Sequence, residues 1–430
     1  MLPYLYKNVS ARSELCCVKE RAHIVERRCI NMKKSAIRIG VAVGAACCMV
    51  FFCSSCSKAG KEYDEAMQLM EEGKYDDSVR HFQKAISENN ENAEYYIGYG
   101  MALNSLGRYE EAIKEFDKVY QDTDNKISEQ NNKKMYFGHA AAYYGMNEYN
   151  KALEACNKAL GIAQYEYMDK NLKCIKAASE QLLGNADKAI ETYSEIIKED
   201  DKDADIYIKR GRLYDVEGKA KEAADDYNKA IELDKSCYDA YFELYNVYVK
   251  MEQNSKAEDI LKNLTDIKAD SADKLLQQGR AYYYLGDYSA ALNSLRKAEE
   301  EKNKESDYYL GLVYMAQSDY QGAVACFQKY IDNKGSGMLS ETYNQIAGCY
   351  IELEEYDKAA DYLDKGINCG EIKASRMLKK NMVILYERMK QYKKARSLAK
   401  SYLTEFPDDS DMQKELEFIK TRIKTIQLAK

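Results

Sequence analysis

A repetitive all-α architecture is the fold class this sequence predicts, and three observations predict it. The 430 residues contain only two prolines, Pro3 and Pro407, so no helix breaker of that kind lies between them. One pattern of apolar and small residues recurs at helical spacing, as in Gly73-Lys-Tyr75-Asp-Asp-Ser78-Val-Arg-His-Phe82 and Gly107-Arg-Tyr109-Glu-Glu-Ala112-Ile-Lys-Glu-Phe116. One small residue inside that pattern keeps its register along the whole body: Ser78, Ala112, Ala152, Ala189, Ala223, Ala257, Ala291, Ala323, Ala359 and Ala395. The gaps are 34, 40, 37, 34, 34, 34, 32, 36 and 36 residues, a period that marks stacked supersecondary units.

Each unit is expected to hold two helices. Twelve residues before each register position lies a second close-approach position: Ala66, Gly100, Ala140, Ala177, Gly211, Tyr245, Gly279, Gly311, Ala347 and Val383. Eight of the ten are Gly or Ala, as two antiparallel helices need if their backbones are to meet closely. Three residues further on, seven units carry a tyrosine (Tyr143, Tyr214, Tyr248, Tyr282, Tyr314, Tyr350, Tyr386), and seven second helices open on one (Tyr75, Tyr109, Tyr149, Tyr288, Tyr320, Tyr356, Tyr392). A tyrosine in a helix seam buries its ring and keeps its hydroxyl at the wet edge, so these are expected to be structural wedges.

This pattern resembles the tetratricopeptide (TPR) repeat, a 34-residue helix–turn–helix unit, over about residues 59–407. The resemblance implies a right-handed superhelical α-solenoid of about ten units, in which the first helix of each unit lines a concave groove that takes peptides or helices. Three features depart from the family pattern. Tyr96, Tyr207, Tyr241 and Tyr343 stand where the first helix usually has Trp, the closing Pro appears only as Pro407, and the fourth unit is weak, with Glu180 and Ala186 at two Tyr positions. Extra residues around 122–133 lengthen the third unit. After Pro407, residues 408–430 read as a capping helix whose stripe of Met412, Leu416, Ile419, Ile423 and Ile426 covers the tenth unit.

The front of the chain has a different grammar. Met32-Lys33-Lys34 precedes fifteen uncharged residues, Ile39 to Cys53, and then Ser54-Ser55-Cys56. A basic start, a short apolar stretch and small residues describe a secretory signal peptide over 32–55, and the stretch falls short of the ~20 residues of a membrane span. The Cys after two small residues resembles a bacterial lipobox, which implies diacylglyceryl transfer to Cys56 as the mature N-terminus, although Cys53 stands where that family has an aliphatic residue. Ordinary cleavage, an uncleaved anchor and a buried cytosolic segment are the alternatives. Cys53-Ser-Ser-Cys56 also has redox spacing, but no βαβ context surrounds it. Residues 1–31 fit no such grammar; they read as a start upstream of the true one at Met32, or as a short tail.

Composition excludes several functions. The first 55 residues carry nine Lys/Arg and three Glu, so the net −7 of the chain leaves −13 on the remainder, a poor match for nucleic-acid phosphates. Six body cysteines (Cys156, Cys174, Cys237, Cys326, Cys349, Cys369) are scattered without ligand pairs and read as small core residues. The three histidines lie far apart, and GxxxxGK[ST], HExxH and GxSxG are missing, so neither catalytic residues, nor a metal, nor a cofactor are expected.

What remains is the groove. One residue past the close-approach positions, Arg212, Asn246 and Arg280 recur at intervals of 34, with Phe242, Tyr283 and Tyr308 on the same face. Two guanidinium groups flanking an amide suit a carboxylate or a peptide backbone, and the aromatic residues suit apolar side chains. The competing expectation is that the arginines pair with Asp215, Asp239 and Asp273, which only keeps the groove soluble. Phe137 and Tyr144 suggest a further apolar stretch. The functional expectation is a lipid-anchored extracytoplasmic scaffold, or a secreted one, that binds a protein or peptide. A cytosolic peptide sensor and an accessory subunit of an enzyme complex are the alternatives.

Overall fold

A computed structural model of the chain describes residues 57–120, 125–333, 338–369 and 372–428. The expected signal peptide and Cys56 lie outside the described residues. Among these residues there are 21 α-helices and no strand. They fall into two units that meet at Asn254/Ser255.

The first unit holds α1 (Lys58–Glu71), α2 (Tyr75–Glu88), α3 (Ala93–Ser105), α4 (Tyr109–Phe116), α5 (Lys126–Gly145), α6 (Tyr149–Leu160), α7 (Asp169–Leu182), α8 (Ala186–Glu199), α9 (Ala204–Val216), α10 (Ala220–Leu233) and α11 (Tyr238–Lys250). The second holds α12 (Asn254–Thr265), α13 (Ala272–Leu285), α14 (Tyr288–Glu300), α15 (Ser306–Ala316), α16 (Tyr320–Asp332), α17 (Leu339–Glu352), α18 (Tyr356–Asn368), α19 (Ile372–Arg388), α20 (Tyr392–Glu405) and α21 (Ser410–Leu428). Within each unit sequential helices pack as neighbours, as α1 on α2 and α13 on α14, and first helices of successive pairs also touch, as α3 touches α5 and α17 touches α19.

The ten register positions are all at the seam: Ser78 and nine alanines are between 0 and 1% exposed. Ser78 keeps the small volume and donates its hydroxyl to the Ala66 carbonyl at 2.8 Å, which satisfies the one polar group in the series. Across the seam, a large side chain of the second helix fills the space a glycine leaves. A Cβ added at Gly311 would stand 2.6 Å from the Phe327 ring, and one at Gly279 would stand 2.6 Å from Leu295. Overpacking of this kind costs about 1–3 kcal/mol, so Gly311 cannot become alanine without moving Phe327. Tyr386 is buried and the other seam tyrosines are half-buried, and hydroxyls reach polar partners at the rim, as Tyr314 accepts from Arg296 at 2.8 Å and Tyr386 from Lys394 at 2.8 Å.

The turn inside each pair obeys the same register. One residue with positive φ sits five positions before each small residue: Gly73, Gly107, Asn147, Gly184, Gly218, Glu252, Gly286, Ser318, Glu354 and Lys390. The following amide bonds back to the last helical turn, as Lys74 N to the Leu69 carbonyl at 2.8 Å and Glu355 N to the Tyr350 carbonyl at 2.8 Å. These bonds satisfy carbonyls that the helix end would leave open.

The fourth pair, weak in sequence, is regular in structure. Glu180 replaces the usual seam tyrosine and is buried, and Thr192 of α8 donates to it at 2.9 Å. The extra residues of the third pair extend α5 to 20 residues. Its added turns bury Lys133, which reaches Asp169 at 2.6 Å and the Ile162 carbonyl at 2.8 Å and so fastens the segment before α7.

At the far end, α21 seats Met412, Leu416 and Ile419 in the core of the last pairs. Its stripe then runs out: Ile423 is half-buried, and Ile426 is exposed. Asp409 fixes the start of α21. It accepts from the Met412 amide at 3.1 Å and from Tyr402 at 2.6 Å, and pairs with Arg376 at 2.9 Å and Lys380 at 2.7 Å. No helix among the described residues is long and apolar enough to cross a membrane.

Candidate functional site: the inner face of the first helices

In the first unit, the inner-face residues of α9 and α11 are charged and already matched. Arg212 Nε stands 2.8 Å from Glu243 Oε1, and its Nη2 stands 3.1 Å from Asp239 Oδ2. Burial works against the guanidinium charge, but Glu243 and Asp239 outweigh it and hold the Arg212 proton more tightly than usual. Lys209 pairs with Asp205 at 2.5 Å, and Lys250 pairs with Asp215 at 2.5 Å. Every cation of this stretch therefore has a carboxylate of the chain itself. Asn246 differs: it is half-buried, and its amide makes no hydrogen bond among the described residues.

Arg212 and Asn246 belong to the first unit, and Arg280 to the second. Arg280 is 7% exposed; its Nη1 donates to Gln277 Oε1 at 2.6 Å, and its guanidinium lies 5.0 Å over the Tyr309 ring. Of the carboxylates expected to pair with these arginines, Asp239 does so. Asp215 instead holds Lys250, and Asp273 accepts from Asn303 at 2.8 Å.

The aromatic part of the expected groove needs correction. Phe137 is 1% exposed and sits in the core cluster of the first unit, so it offers no surface to a ligand. Phe242 and Tyr308 are likewise buried, Tyr308 among Tyr309, Phe327 and Tyr330 with ring centroids 5.4–5.6 Å away. Tyr144 is buried against Tyr149 at 5.8 Å. Tyr283 alone of the five is half-buried, beside Tyr284 and Tyr288. The physical reason is packing: Tyr308 is drawn against Phe327 and Tyr330 of the second helix of its own pair, and Phe137 into the core cluster, so their rings are spent inside the fold.

The same position in α17 carries an amide that sequence reasoning passed over. Asn344 is 5% exposed and accepts from Asn381 Nδ2 of α19 at 2.7 Å. One turn on, Gly348 has open space where a Cβ would be, and Ile384 of α19 is 45% exposed. The signal was available in sequence, as amides on successive first helices, but only a scan of every inner position would have found it.

Cys156 and Cys349 are buried, and burial pushes both thiols up to about 12, so neither is a thiolate at neutral pH.

Comparison with known proteins agrees with this geometry. The tetratricopeptide repeat family model matches residues 63–127, 180–236 and 276–337, and a second model of the same repeat matches 340–368. A TPR repeat-containing protein of Methanocaldococcus jannaschii is 25% identical over 71% of this chain and 43% of its own. The Hsp70-Hsp90 organizing protein of Triticum aestivum is 25% identical over 43% of this chain and 36% of its own. This chain thus spans less than half the length of either relative. A tetratricopeptide repeat protein from Parabacteroides merdae superposes with a TM-score of 0.46 at 15% identity, over 59% of this chain and 98% of that one. Within the residues that the family models match, the helix pairs of this chain are tetratricopeptide repeats.

Proposed function

We propose that this protein is a membrane-tethered scaffold on the extracytoplasmic face of a bacterial cell, without enzymatic activity, that holds a protein or peptide in the groove lined by its first helices. The observation that carries the binding role is the inner face itself. Repeated first helices present polar groups at fixed intervals, and at Asn246 and Gly348 these positions offer an amide without a hydrogen bond and an unfilled space. Tethering supports the role, because holding one partner at a surface raises its effective concentration there. The tether rests on Met32 to Cys56: a basic start, an apolar stretch and a cysteine after two serines. Two acyl chains on Cys56 anchor stably where one binds only marginally. An acidic body argues for a protein or peptide partner over nucleic acid.

Mass spectrometry of the mature N-terminus tests the tether. A diacylglyceryl adduct on Cys56 in the membrane fraction, lost together with membrane association in Cys56→Ala, is the expected result. A wholly cytosolic protein with unmodified Cys53 and Cys56 overturns it. Crosslinked affinity capture tests the groove. Asn246→Trp and Gly348→Trp each place a bulky ring on the inner face of one unit, and at least one is expected to remove the partner that wild type recovers. Identical recovery from both overturns the groove reading.

A further inference from the structure

The Asn344–Asn381 pair has a hydrogen-bonding inventory that names its ligand. Each amide carries one carbonyl and one NH2 group. Their mutual bond, Asn381 Nδ2 to Asn344 Oδ1 at 2.7 Å, uses one donor and one acceptor. Asn344 Nδ2 and Asn381 Oδ1 then have no partner among the described residues, and neither is sealed from solvent. If both amides are flipped, the bond runs the other way and again leaves one NH2 and one carbonyl. In either orientation the pair presents one unbonded NH2 group beside one unbonded carbonyl, the complement of the C=O and N–H that a single residue of an extended chain turns to the same side. Asn344 is more than nine-tenths buried, so its amide is held in place before any ligand arrives.

The surroundings set the character of the occupant. Gly348 lies four residues after Asn344 and Ile384 three after Asn381, so both share the faces that carry the amides. Space for a side chain is open at Gly348, and Ile384 is 45% exposed, which gives an apolar seat one turn from the amides. The neighbouring cations are spent within the chain, as Lys380 holds Asp409 at 2.7 Å and Lys379 holds Glu405 at 2.7 Å, and Glu341 is buried with a hydrogen bond from Gln345 at 3.1 Å.

We propose that Asn344 and Asn381 form a main-chain clamp for an extended, uncharged segment of a partner protein, which places an aliphatic side chain between Gly348 and Ile384. The proposal rests on the groove reading above and specifies the chemistry of its occupant.

The test uses the full chain and a pooled library of N-acetylated, C-amidated heptapeptides without charged side chains. A selected binder is remade with one main-chain nitrogen methylated at a time, which removes a donor and leaves the side chains alone. Methylation at one position is expected to weaken binding about tenfold, the cost of leaving one enclosed acceptor unmatched. Asn344→Ala and Asn381→Ala should each weaken the unmethylated peptide about tenfold, and Asn381→Ala should abolish the methylation penalty. Gly348→Trp, whose Cβ meets nothing within 4 Å, should abolish binding while the variant melts as wild type does. A flat methylation scan, full affinity in both Asn variants, or no binder in the library overturns the clamp. Partner capture that is lost in Gly348→Trp while the clamp test fails would leave the groove reading standing; capture that survives both tryptophan variants would remove the groove reading as well.

Discussion

The inner faces of the two units solve the same problem in opposite ways. On α9 and α11 of the first unit, most polar residues are ions, and Arg212, Lys209 and Lys250 are each neutralised by carboxylates of the chain, with Asn246 the neutral exception. On α17 and α19 of the second unit they are neutral amides that satisfy each other only halfway. Removing one member of an ion pair strands the other, so the arginine and lysines of the first face are already committed and offer little to a further anion. An amide pair loses little when unmatched and keeps capacity for a ligand. A repeat scaffold thus fixes where inner-face side chains stand, and the residue type decides whether a position holds the fold or reads a partner.

The largest effect should come from breaking the ionic face. Arg212→Ala leaves Glu243, whose side chain is 8% exposed, without its guanidinium partner. Removing one member of a buried pair costs up to about 3–5 kcal/mol; with Arg212 itself 18% exposed, we expect about 2–4 kcal/mol. Thermal or urea unfolding checks this, and the double variant Arg212→Met/Glu243→Leu should recover most of the loss. Asn381→Ala should cost only about 1 kcal/mol, since it deletes a single neutral hydrogen bond. Equal losses at the two sites would erase the contrast between the faces.

Two carboxylates give the second unit a pH profile with opposite slopes at its two ends. Burial opposes the Asp409 charge, but hydrogen bonds from Lys380, Tyr402, the Met412 amide and Arg376 outweigh it and hold the carboxyl well below the usual range. Its contribution is therefore present above about pH 4, the ordinary aspartate value, and is lost as pH falls below it. Asp409→Asn should cost about 2 kcal/mol at pH 7, as loss of a helix cap and of an ion pair together, and should differ less from wild type near pH 3. Glu387 runs the other way. Burial, and the hydrogen bond and charge of Glu415 on α21, raise it to about 8. A carboxyl raised on folding favours the folded state below its ordinary pKa and loses that benefit as pH climbs toward 8. Glu387→Gln should then stabilise by about 1 kcal/mol at pH 8 after solvent screening, and by little at pH 4. Melting curves of both variants from pH 3 to 8 check the signs.

How much of this was legible beforehand follows from which forces act locally. The seam was legible because its requirement is steric and repeats: only Ser or Ala fits at the ten register positions, and all ten are buried. Asp239 as the partner of Arg212 was legible because both lie on successive first helices one period apart. The aromatic groove was not, because spacing tells which side of a helix a residue occupies and not whether the neighbouring helix covers it; Phe137 and Tyr308 are covered. Glu243, the closer partner of Arg212, and the Asn344–Asn381 pair depend on contacts between helices 31 and 37 residues apart, which vary where the period does.

The smallest expected effect sharpens the comparison from the turns. In the first unit, four of the six positive-φ turn residues are glycine, whereas in the second only Gly286 is, beside Ser318, Glu354 and Lys390 at φ 63°, 60° and 57°. A side chain there brings its Cβ against the backbone and costs about 1–2 kcal/mol, which glycine avoids. Glycine also gives the unfolded chain more freedom, which returns part of that gain to the unfolded state. Glu354→Gly should therefore stabilise by only about 0.5–1 kcal/mol, and Lys390→Gly by a similar amount. Gly107→Ala, made in the first unit, should destabilise by about 1 kcal/mol, although nothing lies within 4 Å of its added Cβ, so the cost is conformational and not steric crowding. If Glu354→Gly lowers the melting temperature instead, the side chain contributes more at this turn than its φ costs. The two units would then differ in sequence at their turns but not in strain.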